Sequence, residues 1–192
     1  MTCELGKETQ RNLVIENPTS KQFILHAKPS NSQVFEIIPD KIIVPPYEAA
    51  EFAIRFCPNA LDHFERATLE LYSKKAGTWV YRVTGNSTAP SEMETTIITS
   101  EVLKSSSQQL NFRNPFNEPL NIDIYMVDET DTFQLLLKRT KFLVPPIGVL
   151  LIPVSYLPHT MQETSTEVVV DMPARSLAWR YPIKGITETA SH

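Results

Sequence analysis

Glycine is scarce in this chain, with five among 192 residues, and cysteine is scarcer still, with two. So few glycines leave no room for the Gly-rich loop whose backbone N–H groups cradle phosphate. Two cysteines, Cys3 and Cys57, are too few for a disulfide-stapled scaffold. Cys57 has Leu157 as its counterpart in the repeat described below, so it reads as a small apolar residue of the interior. No run approaches the roughly 20 apolar residues of a membrane-spanning helix, and no basic flank near the N-terminus leads into an apolar core. The expectation is a soluble, intracellular chain without membrane insertion. The sequon Asn86-Ser87-Thr88 is too short a pattern to argue for secretion.

An excess of either charge is lacking too. The net charge is -4, from 18 basic and 22 acidic residues, and the balance is close in each half: 10 against 11 in 1–92, and 8 against 11 in 93–192. Neither half is a basic body that would grip nucleic acid through its phosphates, so no nucleic-acid partner is expected. The one basic knot, Lys138-Arg139-Thr140-Lys141, reads as a solvated loop. His26, His63, His159 and His192 accompany no Cys-x-x-Cys, His-x-x-x-His or Gly-x-Ser-x-Gly. Neither a metal centre nor a nucleophile with its base is written here. Asp128, Glu129 and Asp131 lack the glycine and the terminal glutamate of a calcium loop and read as a turn. No catalytic residue, metal ligand or cofactor is expected.

What the chain does have is a repeat. Residues 42–58, IIVPPYEAAEFAIRFCP, return at 142–158 as FLVPPIGVLLIPVSYLP, so that Pro45, Pro46 and Pro58 lie over Pro145, Pro146 and Pro158. Upstream, Asn17-Pro18 matches Asn114-Pro115 at a spacing of 97; downstream, Trp79 and Gly85 match Trp179 and Gly185 at a spacing of 100. Three residues have therefore been added between Asn114 and Pro145, where loops absorb them. The chain reads as two copies of one module, 1–90 and 91–192, joined near 86–95. The second copy opens with a strand predicted over Ile97 to Leu103. Its counterpart in the first copy has only MTCELGKETQ to supply it, so an incomplete opening strand and a longer array are expected.

Each module is built of strands. Phe52, Ile54 and Phe56 alternate with Glu51 and Arg55, a period of two that makes no helix stripe, and Ile152, Val154 and Tyr156 keep it. Trp79, Tyr81 and Val83 form a second such set, matched by Trp179, Tyr181 and Ile183, and both tryptophans read as core anchors. Pro153 and Pro182 cannot donate to a ladder and point to edge strands or bulges. Asn-Pro after a strand begins a turn, since Asn can bond its own backbone and Pro fixes φ. Fifteen prolines and strand runs roughly 8 to 12 residues apart predict two antiparallel sandwiches of seven or so strands each. The match is weakest where Asp171 falls over Leu71, from either a register slip or a frayed strand.

The order of these motifs is similar to that of the Hydin-type domain, also called the ASH domain, among the major-sperm-protein-like immunoglobulin sandwiches. The residues that carry the resemblance are Asn17-Pro18, Phe35, Val44-Pro45-Pro46, Phe56, Pro58 and Tyr81 with Gly85, then Asn114-Pro115, Phe133, Val144-Pro145-Pro146, Tyr156, Pro158 and Tyr181 with Gly185. It covers nearly the whole chain. The resemblance implies an all-β fold of two tandem immunoglobulin-like sandwiches and a scaffolding role without catalysis. It places the chain in the cytoskeleton of a cilium, flagellum or centrosome, among the large cilia- and flagella-associated proteins. The partners it implies are other axonemal or cytoskeletal proteins and neighbouring modules of a longer array. The rival class is a major-sperm-protein-like peptide-binding adaptor, which takes acidic segments on a lysine-rich sheet face. The sequence shows no clustered lysines for such a face. A pilus chaperone would need a signal peptide and a paired Arg and Lys.

Overall fold

The computed structural model describes residues 1–190, and His192 lies outside them. Apart from one turn of 3-10 helix at Pro173–Arg175, the regular structure of the described residues is β. Two compact units divide the chain, Met1–Ala89 and Pro90–His192. The first contains β1 (Thr2–Glu4), β2 (Thr9–Glu16), β3 (Phe23–Pro29), β4 (Phe35–Ile38), β5 (Lys41–Val44), β6 (Ala49–Phe56), β7 (Phe64–Ser73) and β8 (Gly77–Thr88). The second contains β9 (Thr96–Glu101), β10 (Ser106–Arg113), β11 (Leu120–Met126), β12 (Phe133–Leu135), β13 (Lys141–Val144), β14 (Val149–Tyr156), β15 (Thr164–Met172) and β16 (Leu177–Glu188).

Each unit is a five-stranded sheet facing a three-stranded one: β1-β8-β7-β3-β5 with β2-β6-β4, and β9-β16-β15-β11-β13 with β10-β14-β12. These are two tandem immunoglobulin-like sandwiches, alike strand for strand. Pairing is antiparallel except where β1 meets β8 and β9 meets β16 in parallel. Eight strands per unit, rather than seven, arise because the chain crosses from the small sheet at β4 to the large one at β5 around Pro39 and Asp40. The spacing between copies is 97 at Phe23 and Leu120, 98 at Phe35 and Phe133, and 100 at Lys41 and Lys141. One added residue therefore lies between β11 and β12, and two lie between β12 and β13.

Alternation along the strands builds the cores. Phe52, Ile54 and Phe56 are buried, as are Ile152, Val154 and Tyr156, while Glu51 faces solvent. Phe35 stacks on Phe56 at 5.0 Å between ring centroids, and Phe133 on Tyr156 at the same distance. Gly85 lies under the Phe56 ring so closely that a Cβ there would come within 2.6 Å of it; Gly185 lies under Tyr156 in the same way. At these two positions only hydrogen in place of a side chain lets the strand approach the aromatic.

The two asparagines are the most constrained polar groups. Asn17 is 2% exposed and Asn114 is fully buried. The Asn17 amide donates to the carbonyls of Lys21 (2.8 Å), Val44 (3.2 Å) and Pro45 (3.1 Å), and its Oδ1 accepts from the Thr19 N–H at 2.9 Å. Asn114 does the same with Glu118 (2.8 Å), Val144 (3.2 Å), Pro145 (3.0 Å) and the Phe116 N–H (2.9 Å). Each Pro-Pro pair is followed by a residue in the left-handed region, Tyr47 (φ 58) and Ile147 (φ 56). The N–H of each bonds back across to the Asn-Pro turn, at Thr19 and Phe116. One side chain thus locks two turns together, and proline on both sides narrows the alternatives.

Several expectations need correction. Pro153 and Pro182 occupy neither edge strand: β14 and β16 each have neighbours on both sides. Backbone N–H and C=O of one strand residue point the same way. The Pro153 carbonyl accepts from Leu136, just past the end of β12, so the missing N–H faces the place where that neighbour stops. Pro182 faces the interval between the isolated bridge Glu92–Arg180 and the start of β9 at Thr96. The β9 strand itself ends at Glu101 rather than Leu103, which takes a positive φ of 61°.

At Asp171 the register has slipped and the strand is not frayed. Leu71 pairs with Trp79 in the first unit, and Val170, not Asp171, pairs with Trp179 in the second. The extra residue is taken up in the hairpin, where Pro173–Arg175 and Ser176 (φ 53) replace Lys74 to Ala76. Asp171 stays on the outer face opposite Asp123.

The tryptophans are not equivalent anchors. Trp179 is 1% exposed and meets Phe112 edge-on at 5.2 Å, whereas Trp79, stacked on Phe23 at 5.7 Å, is only partly buried. Of the cysteines, Cys3 is the buried one and Cys57 is half-buried, and neither is in a disulfide. The opening strand of the first unit has three residues against six in the second, but it keeps the same register, Thr2 beside Asn86 as Thr99 beside Ile186. A Glu4–Lys7 ion pair recurs as Glu101–Lys104.

Trp179→Ala should therefore cost its unit about 3 to 5 kcal/mol, the usual loss for a large core aromatic, and Trp79→Ala clearly less. Asn114→Ala should cost about 2 to 4 kcal/mol, because buried carbonyls and an N–H lose their partner. Denaturant unfolding, with each unit followed separately by NMR, measures all three; equal losses at the two tryptophans would contradict the burial difference.

Candidate functional site

Among the described residues, no group of three or more His, Cys, Asp and Glu side chains could hold a metal ion. His63 and Ser87 come together, yet not as base and nucleophile. The Ser87 hydroxyl accepts from the main-chain N–H of His63 at 3.1 Å, while the His63 ring meets Glu65 at 3.2 Å. The residues singled out in the sequence, Asn17, Pro18, Pro45, Pro46, Pro58, Trp79, Gly85 and their counterparts, lie in turns and cores. The structure brings Asn17 to Pro45 and Asn114 to Pro145, and leaves Trp79 and Trp179 on their separate strands. Pro58 and Pro158 are buried at the ends of β6 and β14.

A surface emerges instead from the cross-strand register of the first unit. On the outer face of the five-stranded sheet, Lys41 stands opposite His26, His26 opposite Tyr72, Lys28 opposite Glu70, Glu70 opposite Val80, Thr68 opposite Arg82 and Arg66 opposite Thr84. Lys28, Lys41, Arg66 and Arg82 share this face with two carboxylates, Glu70 and, at the β1 edge, Glu4, which is ion-paired to Lys7. Among the described residues no ion pair engages any of these four cations. Between them lie apolar surfaces: Ile43, Tyr72 and Val80 are 51%, 49% and 56% exposed. Arg66 covers the Phe64 ring at 5.4 Å. At one end the face runs into a groove of about 740 Å³ lined by Lys21, Phe23, Ile24, His26, Tyr72, Lys74 and Lys75.

This corrects the expectation that no lysine-bearing face exists. The cations are spread from position 21 to 82, too far apart to register as a cluster along the chain. Only the pairing of β5, β3, β7 and β8 gathers them. Alternation supplies the one signal the sequence held, since Lys28, Arg66 and Arg82 each occupy the polar phase of an alternating strand.

The second unit does not repeat the face. There Lys141 stands opposite Asp123, Asp123 opposite Asp171, and Arg180 is bonded to Glu167 at 2.5 Å while Lys184 meets Glu163 at 3.0 Å. The hydrogen bond to Glu167 holds the Arg180 guanidinium above its ordinary pKa. Charge is balanced within the second face and left over on the first. A surface that combines unpaired cations with exposed Tyr, Ile and Val suits an extended, acidic segment carrying apolar side chains.

Fold and surface together define a tandem pair of immunoglobulin-like β-sandwiches, the first with a cationic outer face. No protein-family model matches the chain. It is similar to cilia and flagella-associated protein 47 of Mus musculus, with 26% identity over 196 aligned positions, covering 90% of this chain and 6% of that protein. To the Homo sapiens protein of the same name it is 24% identical, covering 88% of this chain and 6% of the relative. The chain thus spans a small fraction of the length of the curated relatives it matches. Among solved structures, an ASH/PapD-like domain of human CEP192 overlaps 51% of this chain and 84% of its own, with a TM-score of 0.40 and 15% identity.

The thiols give a check on the local environments. Burial pushes the Cys3 thiol up to about 11, with Cys57 and Glu4 adding to the effect. Only its thiolate reacts with an alkylating agent. Near neutral pH iodoacetamide should label Cys57 in the folded chain and spare Cys3 until the first unit unfolds, as read by peptide mass spectrometry.

Proposed function

We propose that this chain is a non-catalytic, structural segment of a ciliary or flagellar axonemal protein. It acts through protein–protein contacts, with other axonemal or cytoskeletal proteins and with neighbouring immunoglobulin-like modules, and contributes to cilium or sperm-flagellum assembly and motility. The observation that carries the reading is an alignment that runs through both units to relatives named for cilia and flagella. The cationic outer face of the first unit supports it by offering a surface for an acidic partner. On this reading the place of action is the cytoskeleton of the cilium. A tagged copy expressed in ciliated cells should remain with the axoneme after detergent extraction; complete release into the soluble fraction would overturn the proposal.

The same face favours a second reading, a major-sperm-protein-like adaptor for acidic peptides in trafficking or at the centrosome. Four cations around exposed Tyr72 and Val80 are the feature such an adaptor needs. The double variant Lys28→Glu/Arg82→Glu should weaken binding of an acidic, aromatic-bearing peptide tenfold or more, and the wild-type affinity should fall with added salt. Titration calorimetry at two ionic strengths tests this. Location then separates the two readings.

A further inference from the structure

The second unit carries an exposed acidic loop that the first does not have. Between β11 and β12 the chain runs Val127-Asp128-Glu129-Thr130-Asp131-Thr132, and all of these but Thr132 are exposed. The ends of the loop are tied down: the Val127 N–H bonds the Glu167 carbonyl at 2.9 Å, and the Thr132 carbonyl accepts from the Leu157 N–H at 2.8 Å. Among the described residues no ion pair engages Asp128, Glu129 or Asp131. Apolar surface accompanies the carboxylates, with Val127 51% and Met161 52% exposed. The matching connection of the first unit, Ser30 to Val34, is one residue shorter and bears no charge. It also bonds to its own sheet: Ser30 exchanges two hydrogen bonds with Thr68, and the Asn31 amide donates to Glu65 at 2.9 Å. The cations are divided the other way. Lys28, Lys41, Arg66 and Arg82 stand without ion pairs on the first unit's outer face, whereas Arg180 and Lys184 of the second are held by Glu167 and Glu163.

We propose that the cationic outer face of the first unit receives the acidic 127–132 loop of a second copy of this chain. The inference rests on the reading of that face as a docking surface for an acidic partner, and it names the partner. Complementary charge is the argument: cations without partners on one unit meet carboxylates without partners on the other, and their attraction strengthens as contact displaces water. Val127 and Met161 bring apolar surface to a face whose cations are interleaved with exposed Tyr72 and Val80. Neither unit suits its own kind. The uncharged Ser30–Val34 connection has no carboxylate to give, and the second unit's face has its Arg180 and Lys184 already paired. Donor and acceptor therefore lie on different units, and the contact is heterologous. Each joined pair of copies keeps one free face and one free loop, so the contact extends from copy to copy unless rotation closes a ring.

Sedimentation velocity on the full chain tests it. At low ionic strength the weight-average mass should rise with concentration above that of one chain, and at about 0.3 M salt it should return to the monomer value. Lys28→Glu/Arg82→Glu on the face and Glu129→Lys/Asp131→Lys on the loop should each weaken self-association about tenfold or more. Mixed in equal amounts, the two variants should associate again, because the intact loop of one meets the intact face of the other. A chain with all four substitutions should also recover, since both signs are reversed. A wild-type chain that stays monomeric at low salt would overturn the proposal. So would association that survives the loop substitutions, or a loss that neither mixing nor reversal of both signs repairs. If the face binds a free acidic peptide while the wild-type chain stays monomeric, the second copy is rejected as occupant and the acidic-peptide reading stands.

Discussion

Everything in each unit hangs on one buried amide. An asparagine at the end of the first long strand of the small sheet spends its side chain on carbonyls from the Pro-Pro turn and its own turn. Those turns belong to the connections that carry the chain between sheets, so the bond network sets where the sheets start relative to each other. In the interior the same amide would be costly without its partners, and the donors and acceptors around it have no water to turn to. The prolines remove backbone freedom and donors on either side. The geometry can then be repeated to within 0.1 Å in both copies without similarity in the residues around it, Thr19 in one and Phe116 in the other.

That local economy explains what could be read from the residues alone. Asn-Pro, Pro-Pro and the glycines under Phe56 and Tyr156 are backbone devices, and a backbone device leaves a nearly fixed signature. The alternation of Phe52, Ile54 and Phe56 is legible for a related reason, since a period of two is a property of one strand. Where the outcome depends on a neighbouring strand, the residues fall silent. Pro153 and Pro182 read as edge or bulge residues because a proline shows that a donor is missing but not where the missing donor points. Asp171 read as ambiguous because the extra residue sits in a hairpin several positions away, at Pro173–Arg175.

The cationic face is the sharpest instance. Its members come from four strands, and their juxtaposition is a product of register, which links Lys41 to His26 and Glu70 to Val80 across the sheet. Formal net charge near balance in each half hid it, because carboxylates of the first unit lie elsewhere, as Glu8 and Glu36 do beside Arg55, or are paired off at the edge of the face, as Glu4 is with Lys7. Segregation of charge, rather than its amount, makes a surface selective. The second unit carries the same fold with its charges paired off, so the two copies have kept a common architecture and parted in what they present.

The one-residue difference between the β7–β8 and β15–β16 hairpins also bears on how such a chain folds. Tandem copies of one fold, held at high local concentration, are prone to exchange equivalent strands and trap each other. Here an exchanged β16 would arrive at β7 with its tryptophan set by a hairpin one residue longer. It would also bring Pro182 to a position where Arg82 carries an N–H. A slip of one would turn every inward side chain outward. The two loops, three residues in the first hairpin and four in the second, give each copy its own closure around a tryptophan held at the same place in the ladder.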